Sequence, residues 1–114
     1  MADYQGPIPR SKMSQREREP RSKLAKLISE AGILRGTLST RERTCGKPTC
    51  KCSKGEKHVS LYMTFSEEGE YNQLFVPKDL EEVVKAWVSN HHKARDLLEE
   101  ISRVHREKIE KREV

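Results

Sequence analysis

The sequence predicts an α+β domain: a short helix, a cysteine-rich loop, a β-hairpin and a long C-terminal helix. Two short runs of alternating apolar residues flank a glycine turn, which is typical of a hairpin. Residues 79–114 contain no proline or glycine, and their apolar residues recur at helical spacings. Only 33% of the 114 residues are hydrophobic and 36% are charged, so the chain can bury only one small core.

The first element expected is a short helix that follows a disordered basic arm. Residues 1–21 are assigned to the arm because they combine several prolines with almost no apolar residue. Ser22 is predicted to cap the helix, and Gly32 is predicted to end it as a C′ glycine does. The apolar residues of this helix fall on one face: Leu24, Leu27, Ile28 and Ala31.

Extended structure is expected next. Residues 33–43 are predicted to be extended, and Gly36 within them indicates a bulge or a close backbone contact. Residues 59–66 and 71–76 are predicted to form a hairpin that turns at Gly69. The apolar face of its first strand consists of Leu61, Met63 and Phe65.

The long helix is predicted to span residues 79–114, with Asp79 as its cap and Glu82 completing a capping box. Its length of about 50 Å exceeds what a small domain can cover. We therefore expect a homodimeric coiled coil, with a lone fraying helix as the alternative. The predicted oligomerisation seam is Leu80, Val84, Trp87, His91, Ala94, Leu98 and Ile101.

A cysteine cluster distinguishes the central region, residues 22–78. Cys45, Cys50, Cys52 and His58 follow the spacing C-x4-C-x-C-x5-H. Three thiolates and one imidazole form the ligand set of a structural zinc site, so we expect Zn²⁺ to be bound there. A bound metal would also supply folding free energy to a domain with few apolar residues.

Other interpretations of the cysteines stay open. A disulfide across such short loops would be strained, a thiol beside lysines could be a redox sensor, and the thiols could be inert. The fourth metal ligand also has alternatives, because His91, His92 or His105 could replace His58.

Charge is concentrated in the N-terminal half of the chain. Residues 1–60 carry 14 basic and 6 acidic side chains, whereas residues 78–114 carry nine of each. A basic surface concentrates polyanions, although the charge could serve solubility alone. The residues expected to contact nucleic-acid phosphates are Arg41, Arg43, Lys47, Lys51, Lys54 and Lys57.

Several function classes are disfavoured by the sequence. It contains no glycine-rich phosphate loop, no nucleophile elbow and no HExxH pair, so we expect neither an enzyme nor a small-molecule substrate. It has neither an apolar run long enough to cross a membrane nor a secretory signal, which favours the cytoplasm. The resulting hypothesis is a non-enzymatic accessory protein that binds DNA or RNA. The alternative is an assembly factor that acts through the coiled coil, with zinc purely structural.

Three motifs resemble those of a small uncharacterised prokaryotic family. They are R-G-T-L at residues 35–38, C-G-K-P-T-C-K-C at residues 45–52 with Gly55 and His58 after it, and V-P-K-D-L at residues 76–80. The resemblance covers about residues 33–105. Members usually continue from the histidine with Gly-Pro and aromatic residues, where this chain has V-S-L-Y, and this departure affects the local turn more than the ligand. The family's genes often stand beside transposases, which implies a nucleic-acid setting but no particular reaction.

Overall fold

A computed structural model describes residues 8–43 and 58–113 of the protein. Its regular elements are α1 (Gln15–Glu30), β1 (Thr37–Arg43), β2 (His58–Glu67), β3 (Glu70–Val76) and α2 (Glu81–Glu110). The α+β class expected from the sequence is confirmed. No helix among the described residues is long and apolar enough to cross a membrane.

The chain divides into two compact units, and α2 contributes to both. One unit consists of residues 32–91 and contains the sheet; the other consists of residues 1–31 and 92–114. We call them the sheet unit and the helical unit and describe each by itself.

The sheet unit contains a three-stranded antiparallel sheet in the order β1-β2-β3. The predicted hairpin is its β2-β3 part, in register from Leu61 opposite Val76 to Glu67 opposite Glu70. Residues 33–43 were predicted only to be extended. Within them, β1 adds a strand to the hairpin by pairing with β2, up to Arg43 opposite His58.

The β2-β3 turn explains the glycine at its tip. Glu68 and Gly69 are its two central residues, and both have positive φ, at 52° and 81°. Positive φ at both central positions is the geometry of a type I′ turn, whose twist matches that of the flanking strands. Glycine adopts this φ without a steric penalty, whereas glutamate does not.

One face of the sheet forms the core of its unit. Leu61 and Met63 are each only 4% exposed, which confirms the predicted apolar face of β2. The alternation of side chains along a strand places this set on one side of the sheet, against the first turns of α2. The core cluster consists of Leu61, Met63, Val76, Val84 and Val88, with Leu34, Leu38 and Phe65 packed around it.

Two glycines of this unit are required by close packing. A Cβ at Gly36 would lie 2.7 Å from Cγ of Met63, so the predicted close contact is confirmed. A Cβ at Gly32 would lie 2.1 Å from Nε1 of Trp87. Gly32 does follow the end of α1, but Gly69 is the only described glycine with positive φ. The indole of Trp87, rather than a left-handed cap, therefore explains the glycine at position 32.

In the helical unit, α1 begins earlier than predicted. Ser14, not Ser22, is the N-cap, and its side chain accepts a hydrogen bond from the backbone N–H of Glu17. Pro20 lies inside the helix and is buried, so residues 15–21, which were assigned to the arm, are helical. The prediction failed because Pro20 was interpreted as a boundary, whereas Ser14 and Glu17 already have the spacing of a capping box.

The start of α2 also differs from its predicted form. The helix is preceded by a 3-10 turn at Lys78–Leu80 that follows Pro77, so Asp79 lies inside this turn and not at a cap position. Pro77 itself occupies the N-cap position of this turn, where no side chain forms a capping hydrogen bond, and its carbonyl accepts from the N–H of Leu80 at 3.0 Å.

Residues of the predicted seam on α2 differ in burial. Val84 and Ala94 are buried within their own units, at 8% exposure each. Leu80, Trp87 and Leu98 are exposed, at 45%, 40% and 56%. In each unit, packing within the chain therefore buries only some of the predicted seam residues.

Candidate nucleic-acid interface

The face of the sheet opposite the core is the strongest candidate for a functional surface, and we call it the open face. Its members follow from strand alternation and from the register of the two strand pairs. It consists of Thr37, Ser39 and Arg41 on β1, His58, Ser60, Tyr62, Thr64 and Ser66 on β2, and Tyr71, Gln73 and Phe75 on β3.

An aromatic pair lies at the centre of the open face. Tyr62 and Phe75 are directly opposite each other, with ring centroids 5.7 Å apart and planes inclined by 65°. Edge-to-face contact of this kind is a favourable arrangement of aromatic rings. Phe75 is nevertheless 56% exposed, and Tyr71 on the same strand is 74% exposed.

A cation completes this cluster. The guanidinium carbon of Arg41 lies 4.5 Å from the ring centroid of Tyr62. This is a cation–π contact, and it leaves the guanidinium N–H groups at the surface, because Arg41 is exposed. The face thus presents a planar cation and planar rings side by side.

The acidic residues of the strands fall on the other face. Glu42 pairs with Val59, and Glu67 pairs with Glu70, so all three glutamates alternate to the core side of the sheet. Among the open-face residues defined above, the ionisable groups that can be positively charged are Arg41 and His58, and no carboxylate accompanies them. The described part of this face is suited to an anionic ligand.

The predicted phosphate-binding residues are only partly placed by the structure. Arg41 lies on the open face, and Arg43 is paired through the backbone with His58 at one end of it. Both described ends of the segment that joins β1 to β2 therefore lie at the end of the sheet that carries Arg41 and Arg43. We call this the cationic end of the sheet. The predicted lysines lie outside the described residues: Lys47, Lys51, Lys54 and Lys57.

The predicted metal site falls largely in the same segment. Cys45, Cys50 and Cys52 lie outside the described residues, while His58 is exposed at the start of β2. Within residues 8–43 and 58–113, no group of three or more histidine, cysteine or acidic residues is arranged to hold a metal ion.

The alternative histidine ligands lie on α2. His105 contacts the backbone carbonyl of Ile101 through Nδ1 at 3.0 Å, and Nδ1 of His92 lies 3.4 Å from the guanidinium of Arg95. His91, like His92 and His58, also has interactions within the protein.

A buried carboxylate organises the helical unit. Glu17 is fully buried, with its oxygens 2.9 Å from Arg21 Nε, 3.4 Å from Lys108 Nζ and 3.9 Å from His105 Nε2. Burial raises the pKa of Glu17, but the hydrogen bond from Arg21 and the charges of Lys108 and Arg21 outweigh it, so the pKa lies below its ordinary value. Because these groups join the first turn of α1 to the end of α2, their role is structural.

A second ion pair reinforces the same junction. The guanidinium of Arg16 donates two hydrogen bonds to the carboxylate of Glu107, one of them at 2.7 Å. The hydrogen bonds between the two groups, and to a smaller extent their opposite charges, raise the pKa of Arg16 and lower that of Glu107. The side chain of Arg16 is 56% exposed, so water screens this pair more than it screens the contacts of Glu17.

Sequence reasoning missed the aromatic members of the open face. Tyr62 stands between the core residues Leu61 and Met63, and Phe75 precedes the core residue Val76. Strand alternation alone places both aromatics on the side opposite the core. That alternation was a usable signal, but only the strand register shows that the two rings meet.

Together the fold and this surface define a small α+β domain with a three-stranded antiparallel sheet, covered on one face and open on the other. The chain belongs to a family described as a domain of unknown function, DUF6788, whose model matches residues 11–86. The match includes α1 and the whole sheet and ends within α2. No curated protein and no solved structure matches the chain. Membership of an uncharacterised family is confirmed, while its motif pattern and its transposase setting stay predictions.

Proposed function

We propose that this protein is a non-enzymatic nucleic-acid-binding accessory protein. The observation that supports the proposal best is the pairing of Arg43 with His58. It brings both ends of a lysine-rich segment to the cationic end of a sheet face whose described residues include no acid. Basic side chains contact phosphates through charge, which gives affinity without sequence selectivity.

We further propose that the three cysteines bind one structural Zn²⁺ together with His58. Thiolate sulfur and imidazole nitrogen are the donors that zinc prefers in closed structural sites. His58 is exposed as the first residue of β2, and Cys45 follows the end of β1 by two residues in the sequence. Bound zinc would join the two ends of the β1-β2 connection and stabilise the pairing of these strands.

Nucleic-acid binding can be tested by charge reversal. A Lys47→Glu, Lys51→Glu, Lys54→Glu variant should lose binding, measured as fluorescence anisotropy of a labelled oligonucleotide. The matched control reverses Lys23 and Lys26, which are exposed on α1. The wild-type affinity should fall steeply with salt. Unchanged binding by the triple variant, or affinity independent of salt, would contradict the proposal.

Metal binding requires a separate experiment. Protein purified without chelator should contain one zinc per chain by native mass spectrometry, and Cys45→Ser should lose it. His58→Ala should weaken zinc retention, while His92→Ala on α2 should not. A metal-free protein with three titratable thiols would overturn the zinc proposal and favour a redox role.

The second candidate function is assembly through α2. It is supported by the exposure of Leu98 in the helical unit and of Leu80 and Trp87 in the sheet unit. Leu98→Glu should then convert a dimer to a monomer in sedimentation equilibrium. Glu100→Lys is the matched control, because two residues along a helix correspond to nearly opposite faces. A wild-type monomer would exclude a homodimeric coiled coil.

A further inference from the structure

We infer that the open face of the sheet binds single-stranded nucleic acid by stacking bases on Phe75 and Tyr71, beside the contact between Tyr62 and Arg41. The inference rests on the proposed function and adds to it a ligand class, a surface and a mode of contact. Phosphate contacts at the basic segment would not discriminate single strands from duplex, whereas stacking does.

The exposure of the rings is the first argument. Phe75 is 56% exposed and Tyr71 is 74% exposed, so neither ring contributes much to the core. They lie on the same strand and the same face, four residues apart, which is about 13 Å at the rise of an antiparallel strand. Two rings at this separation offer two stacking positions for bases of a nucleic-acid single strand that runs along β3.

The arrangement around Tyr62 is the second argument. The Tyr62 ring contacts Phe75 edge-to-face, with centroids 5.7 Å apart, and the guanidinium carbon of Arg41 lies 4.5 Å from its centroid. Arg41 can stack on a base through its plane and donate to a phosphate through its N–H groups. This combination of rings and a cation characterises surfaces that bind single strands without strong sequence preference.

The remaining side chains of the face support the same ligand. Hydroxyl and amide groups surround the rings, and they can donate to and accept from the edges of unpaired bases. These groups are Thr37, Ser39, Ser60, Thr64, Ser66 and Gln73. The strand glutamates alternate to the other side of the sheet, which spares a phosphate backbone from repulsion.

Other ligands fit this face less well. In a duplex the base faces are occupied by neighbouring bases, so exposed rings on a sheet have nothing to stack on. A peptide strand would pair with a sheet edge and leave the face untouched. An apolar protein surface would desolvate Arg41 without offering it a partner, which is costly.

The test compares single-stranded and duplex oligonucleotides of equal length. Labelled oligo-dT and oligo-rU represent the two sugar chemistries, and a mixed-sequence duplex DNA represents paired strands. The wild-type protein should bind a single strand more tightly than the duplex. Phe75→Ala should weaken single-strand binding about 10- to 100-fold, the range expected for loss of one stacking ring. Its duplex affinity and salt dependence should stay unchanged.

The chain offers a closely matched control. Leu74 neighbours Phe75 on the same strand and is 52% exposed, but it alternates to the opposite face. Leu74→Ala should therefore leave single-strand affinity unchanged. Phe75→Trp should retain binding because it keeps a planar ring, whereas Phe75→Leu should not, although it keeps apolar bulk. Unfolding by circular dichroism verifies that each variant is folded.

The outcomes separate this inference from the proposed function. If neither single strand nor duplex binds, both the proposed function and this inference fail. If both bind with similar, salt-dependent affinity and Phe75→Ala has no effect, the proposed function stands and the stacking face is refuted. If the single strand is preferred and Phe75→Ala abolishes the preference, the stacking face is confirmed.

Discussion

Replacement of Gly32 by alanine tests how the sheet unit holds α2. The backbone of Gly32 has no positive φ, so alanine is conformationally allowed there. By itself this change should stabilise the protein by about 0.4–1 kcal/mol, because alanine restricts the unfolded chain. The structure predicts the opposite sign, since the space that a Cβ would need is occupied by the indole of Trp87.

The magnitude follows from three short distances. The added Cβ would lie 2.1 Å from Nε1, 2.3 Å from Cδ1 and 2.7 Å from Cε2 of Trp87. The backbone cannot easily withdraw, because the N–H of Leu34 donates to the carbonyl of Trp87 at 3.1 Å. Asn90 also donates to the carbonyl of Gly32, at 2.9 Å. The indole must therefore move outward, and overpacking of this kind costs about 1–3 kcal/mol. The expected net loss for Gly32→Ala is about 1–2 kcal/mol.

Trp87 is the only tryptophan in the chain, so its fluorescence reports directly on the displaced ring. Gly32→Ala should shift its emission to the red and lower the urea midpoint without changing the m-value. In a Trp87→Ala background, followed by circular dichroism, the same substitution should be neutral or stabilising. A higher midpoint for Gly32→Ala in the otherwise unchanged protein would refute the steric argument.

Three further outcomes are expected. Glu17→Gln should lower the free energy of unfolding at neutral pH by about 1–3 kcal/mol, since Arg21 and Lys108 lose a buried anionic partner. Chemical denaturation tests this, and a variant as stable as the wild type would contradict it. Because the pKa of Glu17 is lower in the folded state than its ordinary value of 4.5, its contribution is fully present above that pH and is lost as pH falls through the folded value. The difference in free energy of unfolding between wild type and Glu17→Gln should therefore be smaller at pH 3 than at pH 7, and a constant difference would refute this. Glu68→Asn should stabilise the protein by about 0.5–1 kcal/mol, because asparagine followed by Gly69 suits the positive φ of both turn residues. Thermal unfolding measures this, and a lower melting temperature for the variant would contradict the type I′ turn.

The two proposed functions depend on different parts of the protein. The proposed nucleic-acid binding would use the open face and the segment between β1 and β2, whereas the proposed assembly would use α2, which contributes to both units. A variant that loses oligonucleotide binding while keeping its oligomeric state would therefore show that the two functions are separable. Glu17→Gln is expected to affect either function only through the stability of the helical unit.

Much of the sheet was predictable because its signals are local. Alternation along β2 identifies Leu61 and Met63 as core residues, and it depends only on the geometry of an extended strand. The turn at Gly69 is equally local, because two residues must take a conformation that most side chains avoid. The start of α1 was missed although its capping pair, Ser14 and Glu17, is local too. Ser22 was predicted as the cap instead, because Pro20 was interpreted as the boundary of the helix.

The candidate interface was predictable only in part. Arg41 and His58 were singled out for charge and metal chemistry, without any indication that they share a face. Tyr62 and Phe75 were assigned to strands but to no function, because the contact between their rings requires the β2-β3 register. Trp87 was predicted as a seam residue, and nothing in the sequence indicated that its indole occupies the space beside Gly32.

The sequence by itself determined the fold class, the core face of the hairpin, its turn and the concentration of positive charge in the N-terminal half. These properties depend on residues close together in the chain, whose spacing reflects the periods of strands and helices. Only the tertiary structure decided that β1 pairs with β2 and that Arg41, Tyr62 and Phe75 meet on one surface. Such contacts join residues far apart in the chain, and their formation depends on which apolar faces can be buried together. No local pattern encodes that choice.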